Sequence, residues 1–152
     1  MIYVECETEN ILASILSPRE KIIHVAGKTR VLKRLEKQEN AKGLIDEDPL
    51  SPQPPQLKKY QVVDEQLEVK IFSREGNRKL IVLCPRLEEW ILKAAKELKI
   101  NLKNYGLQEN PNLFHEAVSL NPRKFERLIK DMQEKSVRLK KLAKFLKNKN
   151  ST

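Results

Sequence analysis

The stretch "GLIDEDP", residues 43–49, sets an apolar run against three consecutive acids and a proline. "KGLID" reads as a β-strand, and Asp46, Glu47 and Asp48 fall at its end. Carboxylates crowded at the end of a buried strand repel one another, and their desolvation is costly unless a positive charge joins them. Two readings follow: a solvated acidic turn, or the seat of a cation. The next segment, "PLSPQPPQ", can enter neither a sheet interior nor a helix. It predicts an exposed loop over residues 49–60, either a plain surface connection or a flap beside the acids.

Upstream of this stretch the chain alternates. "MIYVEC" is short and rich in β-branched and aromatic residues, as a strand is. "TENILASIL" places Ile11, Leu12, Ile15 and Leu16 on one helical face, with Thr8 as its expected cap and "SPRE" as its stop. "KIIHV" reads as a second strand, and "GKTRVLKRLEKQEN" as a second helix burying Val31, Leu32 and Leu35. Strand, helix, strand, helix, strand predicts an α/β fold with a mainly parallel, Rossmann-like sheet flanked by helices.

Downstream, "LEVKIF" and "KLIVLC" read as two strands joined by a turn at "REGNR". "PRLEEWILKAAKELKI" starts a helix near a proline, and "NPNLFHEAVSL" predicts a short one. "NPRKFERLIKDMQEKSVRLKKLAKFLKN" predicts one long helix, capped by Asn121 with Pro122 in first position. The chain thus divides into an α/β domain over residues 1–100 and a basic helical extension over 101–152 packed on it.

Charge is placed unevenly. The net charge is +9, yet residues 122–149 hold eleven Lys/Arg against three Asp/Glu, and the remainder is nearly balanced. A basic segment on a near-neutral body points to a polyanionic partner. The N-terminus shows neither the basic region nor the apolar run of a signal peptide, and nothing approaches a membrane span. Two cysteines, Cys6 and Cys84, are too few for a disulfide framework. A cytoplasmic location without membrane association is the expectation.

The acids line up across the pattern. Glu5 ends the first strand, Asp46 ends the third, and Asp48 lies just beyond. In an open parallel sheet, groups past the carboxyl ends of neighbouring strands face one crevice. Glu9, about one turn into the first helix, can reach the same place or simply favour the helix dipole. Glu88, in the first turn of a later helix, is favourable there with or without a function. Hard oxygen ligands gathered this way suit Mg²⁺ or Mn²⁺. "AGKT" is not a P-loop, because Ile22 stands where its first glycine is required. Lys28 follows the second strand and is a candidate phosphate contact. His24, His115 and Trp90 fit packing or surface roles, and Cys84 fits a buried, inert thiol.

With Glu5 in "VECETE" and Asp46 and Asp48 in "LIDEDP", the chain resembles the toprim domain. That domain is the catalytic module of topoisomerases, primases, OLD-type nucleases and a ribonuclease that matures ribosomal RNA. Its pattern is a Glu at the end of strand one, usually followed by Gly, and Asp-x-Asp at the end of strand three. Cys6 occupies the position of that Gly. "CPRLEEWIL" is similar to a P-x-x-E-x-W motif of small stand-alone members, which falls on Pro85, Glu88 and Trp90. The resemblance covers roughly residues 1–100. It implies Mg²⁺- or Mn²⁺-dependent phosphotransfer on nucleic acid, most simply by a nuclease. Glu5 would be ligand or general base, Asp46 and Asp48 would hold metal, and Glu9 and Glu88 would complete the site. Lys28 would meet phosphate, as would Arg123, Lys124, Arg127, Lys130, Arg138, Lys140, Lys141 and Lys144, positioning DNA or RNA without reading its sequence. The alternatives are a non-catalytic nucleic-acid-binding or regulatory module, and a subunit whose activity requires a protein partner or a second copy.

Overall fold

A computed structural model describes residues 1–147. Six strands form one sheet: β1 (Ile2–Val4), β2 (Ile22–His24), β3 (Lys42–Asp46), β4 (Gln61–Gln66), β5 (Val69–Arg74) and β6 (Arg78–Leu83), in the order β2-β1-β3-β6-β5-β4. The first four strands in that order run parallel; β5 and β4 add on as antiparallel neighbours. Six helices accompany them: α1 (Glu7–Leu16), α2 (Lys28–Lys37), α3 (Leu87–Glu97), α4 (Pro111–Leu120), α5 (Pro122–Met132) and α6 (Val137–Lys147). The α/β class with a mainly parallel, helix-flanked sheet therefore holds.

Side chains alternate across the sheet and build two cores. Ile2, Val4, Leu44 and Leu83 join the core covered by α1, α3, α4, α5 and α6. Tyr3, Ile45, Leu80 and Val82 join the smaller one, where Val31, Leu32 and Leu35 of α2 are fully buried. The chain steps from β1 outward to β2, then back across β1 to β3. Right-handed crossovers in opposite directions put α1 and α2 on opposite faces. Gly43 lets α2 approach: a Cβ there would lie 2.8 Å from Val31 and 2.9 Å from Leu80. The C-terminal helices α5 and α6 pack against α1, and Leu128, Ile129, Leu139 and Leu142 share the larger core with Leu12 and Leu16.

Four local expectations change. The long C-terminal helix is two helices, because Ser136 breaks it: its buried hydroxyl accepts the Leu139 N–H at 3.2 Å and restarts the backbone ladder as α6. Asn148, the last residue of that predicted helix, and residues 149–152 lie outside the described residues. Thr8 does not cap α1; Cys6 occupies the cap position and Thr8 is inside the first turn. "LEVKIF" enters its strand only at Val69, since Leu67 and Glu68 form a tight turn with φ of 51° and 60°. The partner across that turn is β4, an edge strand no sequence pattern announced.

Candidate metal centre

The strand order reverses between β1 and β3, and there the carboxyl ends of two adjacent strands splay their following loops apart. Glu5 follows β1, Asp46 ends β3, and Glu9 faces them from the first turn of α1. One carboxylate oxygen from each of the three lies within 4.8 Å of the others. Each is held from a different element. Glu9 is 1% exposed, and its Oε1 accepts the Glu5 backbone N–H at 2.9 Å. Asp46 Oδ2 accepts the Leu87 N–H at 3.3 Å, supplying α3 with a cap that its own N-cap residue, Arg86, does not provide. Lys28, first residue of α2, brings its ammonium 3.5 Å from Asp46 Oδ1 and donates to the Glu47 carbonyl at 3.0 Å.

The electrostatics are unbalanced. Burial, then the charge of Asp46, pushes the Glu5 carboxyl from the usual 4.5 up to about 7, while Lys28 works in the other direction. Burial and the charge of Glu5 hold Glu9 well above the carboxylate range. Asp46 is also raised by burial, opposed by the Leu87 N–H and Lys28. Three desolvated carboxylates thus meet here, and the Lys28 ammonium offsets Glu5 and Asp46. A divalent cation beside Lys28 would neutralise the set and supply the missing partner. These three residues can hold a metal ion.

Cys6 is compatible with this corner. Its backbone is extended, with φ −143° and ψ 168°, a region open to any residue, so no glycine is demanded. Burial and the Glu9 charge raise its thiol far above the usual value, which keeps it protonated and unreactive.

The remaining predicted acids are placed otherwise. Asp48 stands outside the triad: its backbone turns to φ 42°, and its carboxylate accepts the Ser51 hydroxyl at 2.7 Å. Glu47 turns to Lys70, 2.8 Å away. Glu88 pairs with His115 Nδ1 at 2.9 Å and reaches Asp46 only as a nearby like charge. Trp90 is buried, and its indole N–H donates to the Leu67 carbonyl at 2.9 Å. The proline-rich loop is tied to the acids through Gln53, whose side chain donates to the Glu47 carbonyl at 2.8 Å.

The C-terminal cations divide. Arg138 is enclosed, bonding Glu97 at 2.9 Å, the Leu67 carbonyl at 2.9 Å and Glu68 at 3.1 Å, so it is not presented to a partner. Lys130 pairs with Glu126 at 2.9 Å, and Lys124 reaches the Gly106 carbonyl at 3.4 Å. Arg127 and Lys141 lie over the rings of Tyr105 and Phe145. Arg123, Lys140 and Lys144 are exposed. A second cationic group, Arg30, Lys33, Arg34 and Lys37 on α2, was not among the predicted site residues. Its signal was in the sequence: four cations recur at helical spacing opposite Val31, Leu32 and Leu35.

Comparison with protein-family models, curated proteins and solved structures gives no match to this chain. Among the described residues, no helix is long and apolar enough to cross a membrane.

Proposed function

We propose that Glu5, Glu9 and Asp46 bind Mg²⁺ or Mn²⁺ and that the protein is a metal-dependent phosphodiesterase of the toprim type, acting on nucleic acid in the cytoplasm. The observation that carries the reading is the convergence of three desolvated carboxylates within 4.8 Å at the switch point of a mainly parallel sheet. Their all-oxygen donor set suits a hard divalent ion that keeps open positions for phosphate oxygens. When bound, such an ion offsets charge on the phosphoryl oxygens and lowers the pKa of a coordinated water. The chain's own groups do the rest. Asp46 is oriented by the Leu87 N–H and Glu9 by the Glu5 N–H, so two of the three ligands stand pre-positioned. In the metal-free protein burial and the Asp46 charge raise the Glu5 carboxyl to about 7, so near neutral pH it can hold a proton that must leave before the carboxylate joins the ion. Lys28 stands beside Asp46 as a phosphate contact.

The test is cleavage of labelled single- and double-stranded DNA and RNA, with Mg²⁺, with Mn²⁺ and with EDTA, comparing the natural protein with Asp46→Asn. Metal-dependent cleavage that falls by roughly a hundredfold or more in the variant supports the reading. Absence of cleavage on every substrate, with no protein stabilisation by either ion, sinks it and leaves a binding or regulatory module.

A further inference from the structure

We propose that the outer face of α2 is a docking groove for the phosphodiester backbone of nucleic acid. Arg30, Lys33, Arg34 and Lys37 recur at i, i+3, i+4 and i+7, so they share one stripe of the helix. With His24 from the edge strand β2 they line a shallow groove of about 370 Å³ with no carboxylate among its lining residues; Glu7 stands at its border, 3.7 Å from His24 Nδ1. All four are exposed, and among the described residues none has an ion-pair or hydrogen-bond partner. Glu36, the one acid of α2, turns to Lys59 instead. Four uncompensated cations in one concavity repel each other, and a row of anions removes that repulsion.

The occupant follows from spacing and chemistry. From Arg30 to Lys37 the stripe extends about 10 Å along the helix, so its cations can meet more than one phosphate of a strand. The groove offers no aromatic platform for bases and no exposed large apolar side chain to enter a lipid surface; Val62, Val63 and Leu120, which are exposed, lie elsewhere. A backbone contact without base readout fits. The C-terminal cations belong to helices packed with α1 on the opposite face of the sheet, so this groove is a separate surface. α2 begins at Lys28, beside Asp46, and runs back along the sheet, so a bound strand is led toward the acids. That direction rests on the proposed function; the affinity of the groove does not.

Binding is therefore measured in EDTA, where no cleavage occurs, by fluorescence anisotropy of fluorescein-labelled DNA and RNA oligonucleotides across a salt series. The probe protein carries Arg30→Gln, Lys33→Gln, Arg34→Gln and Lys37→Gln. A charge-matched control carries Arg19→Gln, Lys96→Gln, Lys99→Gln and Lys103→Gln, all exposed positions away from the groove. The groove variant is expected to lose roughly a hundredfold in affinity, and its slope of log K against log salt to shrink by about 3, as four lost phosphate contacts require. The control should stay within about threefold. Arg34→Glu alone, at an exposed position and checked for folding by its melting curve, should cost about tenfold. Equal losses in groove variant and control, or no loss in either, overturn the proposal. So does binding to phosphatidylserine vesicles in preference to the oligonucleotides, which would make the groove a lipid-surface contact.

Discussion

Glu9 and Asp48 are both acids within five residues of a strand end, yet the fold treats them oppositely. Glu9 is buried on α1, where its Oε1 accepts the Glu5 N–H, and the charges of Glu5 and Asp46 both push its carboxyl upward. Asp48 is partly exposed, and Ser51 answers it. The same contrast separates the whole triad from Glu47 and Glu88, which have Lys70 and His115 as partners. A carboxylate with its own partner is finished chemistry. Desolvated carboxylates offset only where Lys28 acts on Glu5 and Asp46 remain in deficit, and that deficit points to a candidate cation site more sharply than acid content does.

The largest effect that would break this contrast concerns the ion itself. Mg²⁺ or Mn²⁺ at a hundredfold excess over its Kd should stabilise the protein by about 2.7 kcal/mol, seen as a rise of roughly 5–10 °C in Tm. Glu9→Gln and Asp46→Asn should abolish that rise. A variant that keeps the full shift would show the ion binding elsewhere and would remove the distinction between the triad and its neighbours.

The next effect is on pH. Glu5 titrates near 4.5 when unfolded and at about 7 when folded, so the folded state holds a proton that the unfolded chain has released. Between those values folding takes up protons, and stability falls as pH rises through the window, flattening above about 7. In EDTA, Tm should therefore be higher at pH 5 than at pH 7.5. Glu9→Gln keeps an oxygen for the Glu5 N–H while removing a carboxyl whose ionisation burial opposes. It should raise metal-free stability at pH 7.5 by about 1–3 kcal/mol and change little at pH 5. A Tm independent of pH in that window would mean the three carboxylates are solvated apart.

How much of this was readable beforehand differs residue by residue. Apolar runs closing on Glu5 and Asp46 located both strand ends, and the buried set Val31, Leu32 and Leu35 followed from helical spacing. β4 escaped because it is an edge strand with Val62 and Val63 half exposed, so it carries no core-facing alternation. The break at Ser136 escaped because Met132 and Leu139 are seven residues apart, two full turns, which a continuous helix satisfies equally well. Arg138 read as a surface cation because its partners, Glu68 and Glu97, are distant in sequence. Net charge located a basic segment, but not which of its cations the fold had already used.

Lys28 tests the deficit from the positive side, with a smaller effect. Its ammonium lowers both Glu5 and Asp46. Lys28→Met retains the buried stem and deletes the charge, so the apo protein should lose about 1 kcal/mol at pH 7.5, less at pH 5, by thermal melting. The ion-induced stabilisation should persist, since Lys28 offers no ligand oxygen. Its loss would instead assign Lys28 to organising the three carboxylates.

The smallest effect is the sharpest test of the comparison. Asp48→Asn preserves an oxygen for the Ser51 hydroxyl and suits a backbone at φ 42°, a region Asn enters more readily than most residues. It also removes a like charge that pushes Asp46 upward. Metal-free stability at pH 7.5 should then shift by no more than about 0.5 kcal/mol, in the stabilising direction, with the ion-induced Tm rise intact. If Asp48→Asn instead erased the Tm rise as Asp46→Asn does, Asp48 would have to leave Ser51 and turn inward when the ion binds. The Asp-x-Asp pair would then act as one unit, and the difference between Glu9 and Asp48 would describe only the metal-free protein.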